Sequence, residues 1–363
     1  MDRHEYFMKR CIQLAMNGLG TTYPNPLVGA VIVYKDKIIG EGWHKMAGEP
    51  HAEVHAINAV KDGQLLREAT LYVNLEPCSH HGKTPPCAEL IIKKGIKKVV
   101  IGSKDYHSKV NGQGIQHLLD AGCEVITGIL EEECLKLNRR FFTFHIKKRP
   151  YIILKWAQTA NGFISPATSD REQGISPEDK RPYWISNDHS LQFVHQLRTR
   201  EQSILVGTNT AETDNPSLNA RMYFGKNPLR LVIDKDLKLN RRSKLFDGQS
   251  GTVVFYDRKL KVGEEEKNVV YRGLDFDKDI TGQICLFLYN ENFQSLIVEG
   301  GTYTLRKFID KNLWDEAIII TGKESFREGT KAPSAGGKLR AHFTLGDNCL
   351  TVLENENALS QVK

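Results

Sequence analysis

Short β-rich runs alternate with amphipathic helical segments along almost the whole chain, and that alternation commits it to sheets covered by helices. In the first part "VGAVIVYKDKIIGEG" reads as a hairpin turning at Tyr34 to Asp36, "HAEVHAINAV" as a helix and "ATLYVNLE" as a strand that Pro77 breaks. "CAELIIKKG" reads as a helix, and "KKVVIGS" and "CEVITGI" as further strands, so a three-layer α/β domain is expected. Ahead of these, Asp2 is placed to cap a first helix with Glu5 reciprocating. Phe7, Cys11 and Leu14 then recur on one face until Gly18 and Gly20 stop it. A second alternation follows the basic stretch "IKKRP". Its strands are "YIILKWA", "SILVG", "LRLVID", "GTVVFY", "SLIVEGG" and "EAIIIT", with helices such as "SLQFVHQLRTR" and "TYTLRKFIDK" between them.

At 363 residues the chain exceeds the ~250–300 at which single cores stop growing. Two domains are therefore expected, 1–145 and 150–363, with the boundary in residues 146–150. Nine of the twelve histidines lie before residue 146, which marks the same shift. Hydrophobic residues at 40% and charged residues at 26% describe a chain able to bury a core. No apolar run approaches the ~18 residues of a membrane span, and the first twenty residues lack the apolar core of a signal peptide, so a cytoplasmic protein is expected. Seven scattered cysteines do not make a disulfide framework. The net charge of +6 suits an anionic partner, but Lys and Arg are spread rather than clustered, which argues against nucleic acid.

His51 and His55 stand four apart with Glu53 between them. In the zincin helix the glutamate follows the first histidine directly, whereas here it comes one residue later. His-x-Glu followed one strand later by Pro-Cys and a second cysteine is instead the zinc-deaminase signature. "HAE" at 51–53, Pro77-Cys78 and Pro86-Cys87 supply it. His51, Cys78 and Cys87 give the three protein ligands of a catalytic zinc site, with the fourth position left to water. Both cysteines fall where a strand hands over to a helix, a setting that favours thiolate. Glu53 is the carboxylate that moves protons between water and departing ammonia. His55 reads as an ordinary helix residue.

Nucleic-acid deaminases close the signature with Cys-x-x-Cys, whereas "SHHGKTPP" separates the cysteines here. With "TTYPNPLVGAVIV", "GWHKMAGEPHAE" and "LYVNLEPCSHHGKTPPC", the first half resembles the deaminase half of the bifunctional riboflavin-biosynthesis deaminase/reductases. "LKWAQTANGFI", "WISN", "HQLRTREQSILVGTNTAETDNPSLNAR", "LRLVID" and "IVEGG" are similar to the reductase half, over roughly residues 2–345 in all. The resemblance implies a cytidine-deaminase-like domain followed by a dihydrofolate-reductase-like α/β domain. It further implies zinc and NADPH as cofactors, a phosphorylated ribosylaminopyrimidine as substrate, and assembly into a homo-oligomer.

Carried over by position, Asn25, His44, His80, Lys83 and Asp105 become substrate contacts in the deaminase half. Lys83 also suits a phosphate by charge alone, or an ordinary solvated loop. In the reductase half Ala157, Trp184, Thr210, Asp214, Gly301 and the turn Thr302, Tyr303 and Thr304 would touch NADPH. Arg198, Leu218, Arg221 and Glu299 would touch the substrate, the arginines gripping its phosphate through paired hydrogen bonds. Lys155 and Asp214 are candidates for positioning or proton donation during hydride transfer to C1′ of the ribose. Lys235, where a small hydroxyl residue is usual, suits a 2′-phosphate or a solvated turn equally. Two rivals remain: a nucleic-acid deaminase with a C-terminal binding module, and a structural zinc closed by His80 or His81.

Overall fold

The computed structural model describes residues 2–79, 85–106, 112–167, 184–262 and 267–356. The chain divides into two compact units, Met1–Lys148 and Arg149–Gln361. Among the described residues no helix is long and apolar enough to cross a membrane.

The first unit runs α1 (Arg3–Met16), β1 (Gly29–Tyr34), β2 (Lys37–Trp43), α2 (Ala52–Asn58), β3 (Thr70–Leu75) and α3 (Cys87–Lys93). It continues through β4 (Lys98–Ser103), α4 (Gln113–Asp120), β5 (Glu124–Thr127), α5 (Glu131–Leu137) and α6 (Arg139–Lys147). The sheet order is β2-β1-β3-β4-β5, parallel from β3 to β5, with β1 antiparallel to both neighbours. The hairpin turns at Lys35 and Asp36, both at positive φ as a tight two-residue turn requires.

Period-two alternation sorts the strand side chains into two cores. Ala30, Ile32, Leu71, Val73, Val99 and Ile101 meet Ala52 and Ala56 of α2, Ala88 and Ile91 of α3 and Leu118 of α4. Val31, Val33, Tyr72 and Val100 meet Phe7, Met8, Cys11 and Leu14 of α1 and Cys134 of α5. These are three layers. Ile101 is fully buried, and trimming it to alanine would cost roughly 2–5 kcal/mol. Gly42 lets α2 lie directly on β2, since a Cβ there would stand 2.4 Å from the Cβ of His55. That close approach fixes the height of His51 at the head of α2. Asp2 does occupy the N-cap position of α1, but its side chain makes no capping bond. The expected reciprocal cap is thus corrected: Asp2 closes the first turn through its backbone carbonyl, which accepts the Tyr6 N–H at 3.1 Å, and not through its carboxylate.

The second unit opens with β6 (Tyr151–Gln158), β7 (Phe163–Pro166), α7 (Asp188–Arg200), β8 (Ser203–Gly207), α8 (Thr208–Asp214) and β9 (Leu229–Ile233). β10 (Thr252–Asp257), β11 (Val269–Leu274), α9 (Ile280–Asn290), β12 (Ser295–Glu299) and α10 (Thr302–Asp310) follow. β13 (Glu316–Thr321), β14 (Gly329–Lys331), β15 (Lys338–Leu345) and β16 (Asn348–Glu354) complete it. Nine strands form one sheet in the order β11-β10-β9-β8-β12-β6-β13-β16-β15, while β7 and β14 pair separately. From β11 to β13 the strands are parallel, and β16 runs antiparallel to β13 and β15. Ile152, Leu154 and Trp156 of β6 pack with α9 and α10, whereas Tyr151 and Ile153 pack with Val194 and Leu197 of α7.

Candidate active sites

In the first unit three elements bring the metal-binding residue types together. His51 is the N-cap of α2, Cys78 lies in the loop that leaves β3, and Cys87 is the first residue of α3. His51 Nδ1 stands 3.6 Å from Cys78 Sγ and 3.3 Å from Cys87 Sγ, and the three donor atoms all lie within 4.8 Å of one another. The Cys87 N–H also donates to Cys78 Sγ at 3.3 Å. Hydrogen bonding from Cys87, then from His51, draws the Cys78 thiol down to about 4 against the effect of burial. Cys87 is pushed up because it retains the proton the pair shares. A thiolate, a second sulfur and an imidazole nitrogen at this spacing fit zinc.

Glu53, in the first turn of α2, is 3% exposed, and its Oε2 has no partner. Burial raises its carboxyl above the usual range, with the negative Cys78 adding to the effect. A buried carboxylate oxygen left orphaned beside a ligand cluster is placed to serve a ligand rather than the fold. Asn25 Nδ2 lies 3.0 Å from His44 Nε2, and the His44 ring meets the His51 ring edge-on at 5.3 Å. His44 Nδ1 lies 3.2 Å from the Pro50 carbonyl, and burial lowers its pKa. Asn25 and His44 thus border the cluster. His80 and Lys83 lie outside the described residues.

Asp105 is buried just past β4, where its backbone N–H donates to Glu76 Oε2 at 3.1 Å. Glu76 went unnoticed in the sequence. Its buried carboxylate also accepts the N–H groups of Gly112, Gly114 and Ile115, at 2.9–3.2 Å, which ties the start of α4 to the end of β3. The available signal was an acid directly before Pro77-Cys78, where the strand pattern left no exposed face for it.

In the second unit the register pairs Glu299 of β12 with Lys155 of β6. Glu299 Oε2 lies 2.9 Å from Arg198 Nη2 and 4.0 Å from Lys155 Nζ. Burial acts to raise the Glu299 carboxyl, but Arg198 and Lys155 outweigh it and hold the group below its usual range. Lys155 is lowered, by burial first, with Glu299 opposing. Arg198 Nη1 donates to the Asn219 carbonyl at 3.1 Å, and Arg221 Nη1 donates to Asn219 Oδ1 at 3.2 Å. One asparagine thus holds two guanidiniums next to Leu218, which is buried at positive φ. His195, one turn before Arg198, belongs to the same cluster and was also missed, since its spacing reads only as a helix face.

Thr210 Oγ1 accepts the Gly301 N–H at 2.9 Å, so α8 abuts the N-cap of α10. Gly300 sits at φ +106°, and a Cβ there would lie 2.7 Å from Thr210 Oγ1, so only glycine allows this approach. Thr302 donates to the Lys331 carbonyl, Thr304 is buried against Gly207, and Tyr303 stays exposed. The Gly301 N–H is held by Thr210 and the Thr304 N–H by the Gly301 carbonyl, which leaves the N–H groups of Thr302 and Tyr303 at the head of α10 as those that could take a phosphate. Ala157 lies on β6, Asp214 ends α8, and Trp184 is exposed. Lys235 follows β9 with its ammonium over the Phe276 ring at 5.8 Å.

Residues 1–103 match the cytidine and deoxycytidylate deaminase zinc-binding region, and residues 150–322 match the RibD C-terminal domain. The riboflavin biosynthesis protein RibD of Aquifex aeolicus is 36% identical over 91% of this chain and 90% of its own length. That of Bacillus amyloliquefaciens is 39% identical, over 91% and 87%. The crystal structure of a diaminohydroxyphosphoribosylaminopyrimidine deaminase/5-amino-6-(5-phosphoribosylamino)uracil reductase from Thermotoga maritima superposes with a TM-score of 0.85 at 35% identity. It covers 97% of this chain and 99% of that one.

Proposed function

The chain belongs to the RibD family of riboflavin biosynthesis, and on that footing we propose that its two units carry out the family's two steps in series. The first unit hydrolytically deaminates 2,5-diamino-6-ribosylamino-4(3H)-pyrimidinone 5′-phosphate. The second reduces the product's ribose to a ribityl chain with NADPH, giving 5-amino-6-ribitylamino-uracil 5′-phosphate. The convergence of His51, Cys78 and Cys87 beside buried Glu53 carries this reading.

His51, Cys78 and Cys87 would hold zinc, which when bound lowers the pKa of its water toward ~7. Glu53 takes the proton as water adds to the amino-bearing ring carbon and returns it to nitrogen, so that ammonia leaves. His44 and Asn25 border the ring's place and Asp105 stands beyond β4. In the second unit Thr210 and the turn Gly301 to Thr304 would bind NADPH together with Ala157, Trp184, Asp214 and Lys235. The cofactor supplies the hydride. Arg198 and Arg221 hold the substrate phosphate, with Leu218 between them in the chain, and Glu299 keeps Lys155 charged. Lys155 is then the proton source for the ring oxygen as hydride arrives at C1′. Family membership also supports a cytoplasmic setting and association with further copies of the chain.

The test gives the zinc-loaded protein the undeaminated phosphate with NADPH and follows ammonia and NADPH together, with Glu53→Gln alongside. Both signals are expected in the wild type. In the variant both vanish while zinc stays bound. Zinc retained with ammonia release unchanged in Glu53→Gln would refute the assignment of Glu53.

A further inference from the structure

His195 is a buried group for which the two-step chemistry gives no role. It is 1% exposed, it lies on α7 one turn before Arg198, and its Nδ1 has no hydrogen-bond partner. Two other atoms of the same cluster, Arg198 Nε and Glu299 Oε1, are buried and unpartnered as well. A histidine kept for packing normally has both ring nitrogens satisfied, because burying an unpaired polar atom costs about 1–3 kcal/mol. Three orphans in one ion cluster are instead what a polar site shows before its ligand arrives.

The neighbourhood says what kind of ligand. The His195 ring bonds the Asn219 backbone, and the Arg198 and Arg221 guanidiniums that act on it donate to the carbonyl and the side-chain oxygen of that same asparagine. Burial first, then the two guanidiniums, lowers the ring's pKa to about 4, so it stands as a neutral body among cations. Lys155 and Glu299 are the other charged groups near by. A neutral ring packs beside two like charges without adding a third.

We propose that His195 is a positioning residue for the substrate phosphate: by bracing α7 against Asn219 it sets the spacing of Arg198 and Arg221. This rests on the reading that those two arginines hold the phosphate. His195 acts through them and through the Asn219 carbonyl, so its effect falls on recognition of the phosphate rather than on hydride transfer. Leucine has the bulk but no N–H for the carbonyl, whereas glutamine keeps a donor of similar reach.

The experiment measures reductase kinetics of the full-length protein on 5-amino-6-ribosylaminouracil with and without its 5′-phosphate, bypassing deamination. For His195→Leu, KM for the phosphorylated substrate should rise about tenfold, with kcat and the KM for NADPH within about twofold of wild type. The unphosphorylated compound should be used equally by both proteins, and His195→Gln should recover most of the loss. If the leucine variant does not fold, His195→Phe, which keeps a ring without its N–H, is read the same way. Equal losses on both substrates, or a lowered melting temperature with kinetics intact, would make the ring simple packing and overturn the proposal. Arg221→Gln separates the two levels. If it too leaves the preference for the phosphorylated substrate intact, the arginine assignment fails. If it abolishes the preference while His195→Leu does not, only the role of His195 fails.

Discussion

Replacing Glu299 by glutamine tests the charge balance on which the reductase site depends. Glu299 is the one acid in direct contact, among the described residues, with both Arg198 at 2.9 Å and Lys155 at 4.0 Å. Removing its charge strands two buried cations, and breaking a buried pair costs about 3–5 kcal/mol. The amide oxygen of glutamine still accepts from Arg198, which places the loss near the low end, about 3 kcal/mol. Lys155 limits it further. Burial already lowers this ammonium and Glu299 is what raises it, so in the variant Lys155 sheds its proton more readily. The sign of the pH effect follows. A lysine whose folded pKa lies below its unfolded 10.5 binds fewer protons folded than unfolded in the interval between, so stability rises with pH there. In Glu299→Gln that interval reaches lower, and stability should climb with pH through a range where the wild type is flat. Urea unfolding followed by tryptophan fluorescence from about pH 6 to pH 9 measures this. A variant as stable as the wild type at neutral pH, with a parallel pH profile, would refute the view that Glu299 compensates these cations.

Chelation of zinc should abolish ammonia release and zinc should restore it, while NADPH oxidation on the pre-deaminated substrate continues; loss of both would show the reductase step also depends on the metal. Glu76→Gln keeps one acceptor oxygen but sets an NH2 group against two of the four backbone N–H groups, so the first unit should lose about 1–3 kcal/mol and its deaminase turnover, with reductase kinetics unchanged. Thermal unfolding and the two half-assays check this, and unaltered ammonia release would contradict it. Gly300→Ala forces a side chain into positive φ at 2.7 Å from Thr210 Oγ1 and should raise the KM for NADPH severalfold, read from initial rates at varied cofactor.

What could be read from the chain follows how far each interaction reaches. His51, Glu53, Cys78 and Cys87 stood out because a tetrahedral metal restricts residue type and spacing together, and few other demands produce that combination. The buried strands "YIILKWA" and "SLIVEGG" were legible because both faces of a parallel sheet are covered, which leaves apolar runs. β15 was not: "KLRAHFTL" is an edge strand with most side chains exposed, and its mixture of charge and bulk carries no period. β7 and β14, four and three residues long, are too short to show a pattern. Glu76, His195 and Asn219 went unseen for a different reason. Each matters through a partner distant in sequence, and no local signal announces that Glu76 meets the head of α4 or that His195 meets Asn219.

The two units nevertheless solve their placement problem alike. In the first, Cys78 follows β3 and Asp105 follows β4, which are parallel neighbours. In the second, Glu299 ends β12 and Gly207 ends β8, again parallel neighbours. Parallel strands release their chains at the same edge, so residues far apart in sequence arrive side by side there, held by a sheet that does not depend on them. Substitution inside the strands should therefore act through stability and lower the affected unit's activity in proportion to the fraction unfolded. Substitution at strand ends of a residue that faces the site, and not of an ion-pair or hydrogen-bond anchor such as Glu299 or Glu76, should cost much less stability and act on one step alone. Ile297→Ala within β12 against Thr210→Val beside its end makes that contrast inside one unit: the first should cost roughly 2–5 kcal/mol with KM for NADPH kept in the folded fraction, the second should cost only about 1 kcal/mol for the lost Gly301 acceptor and raise that KM.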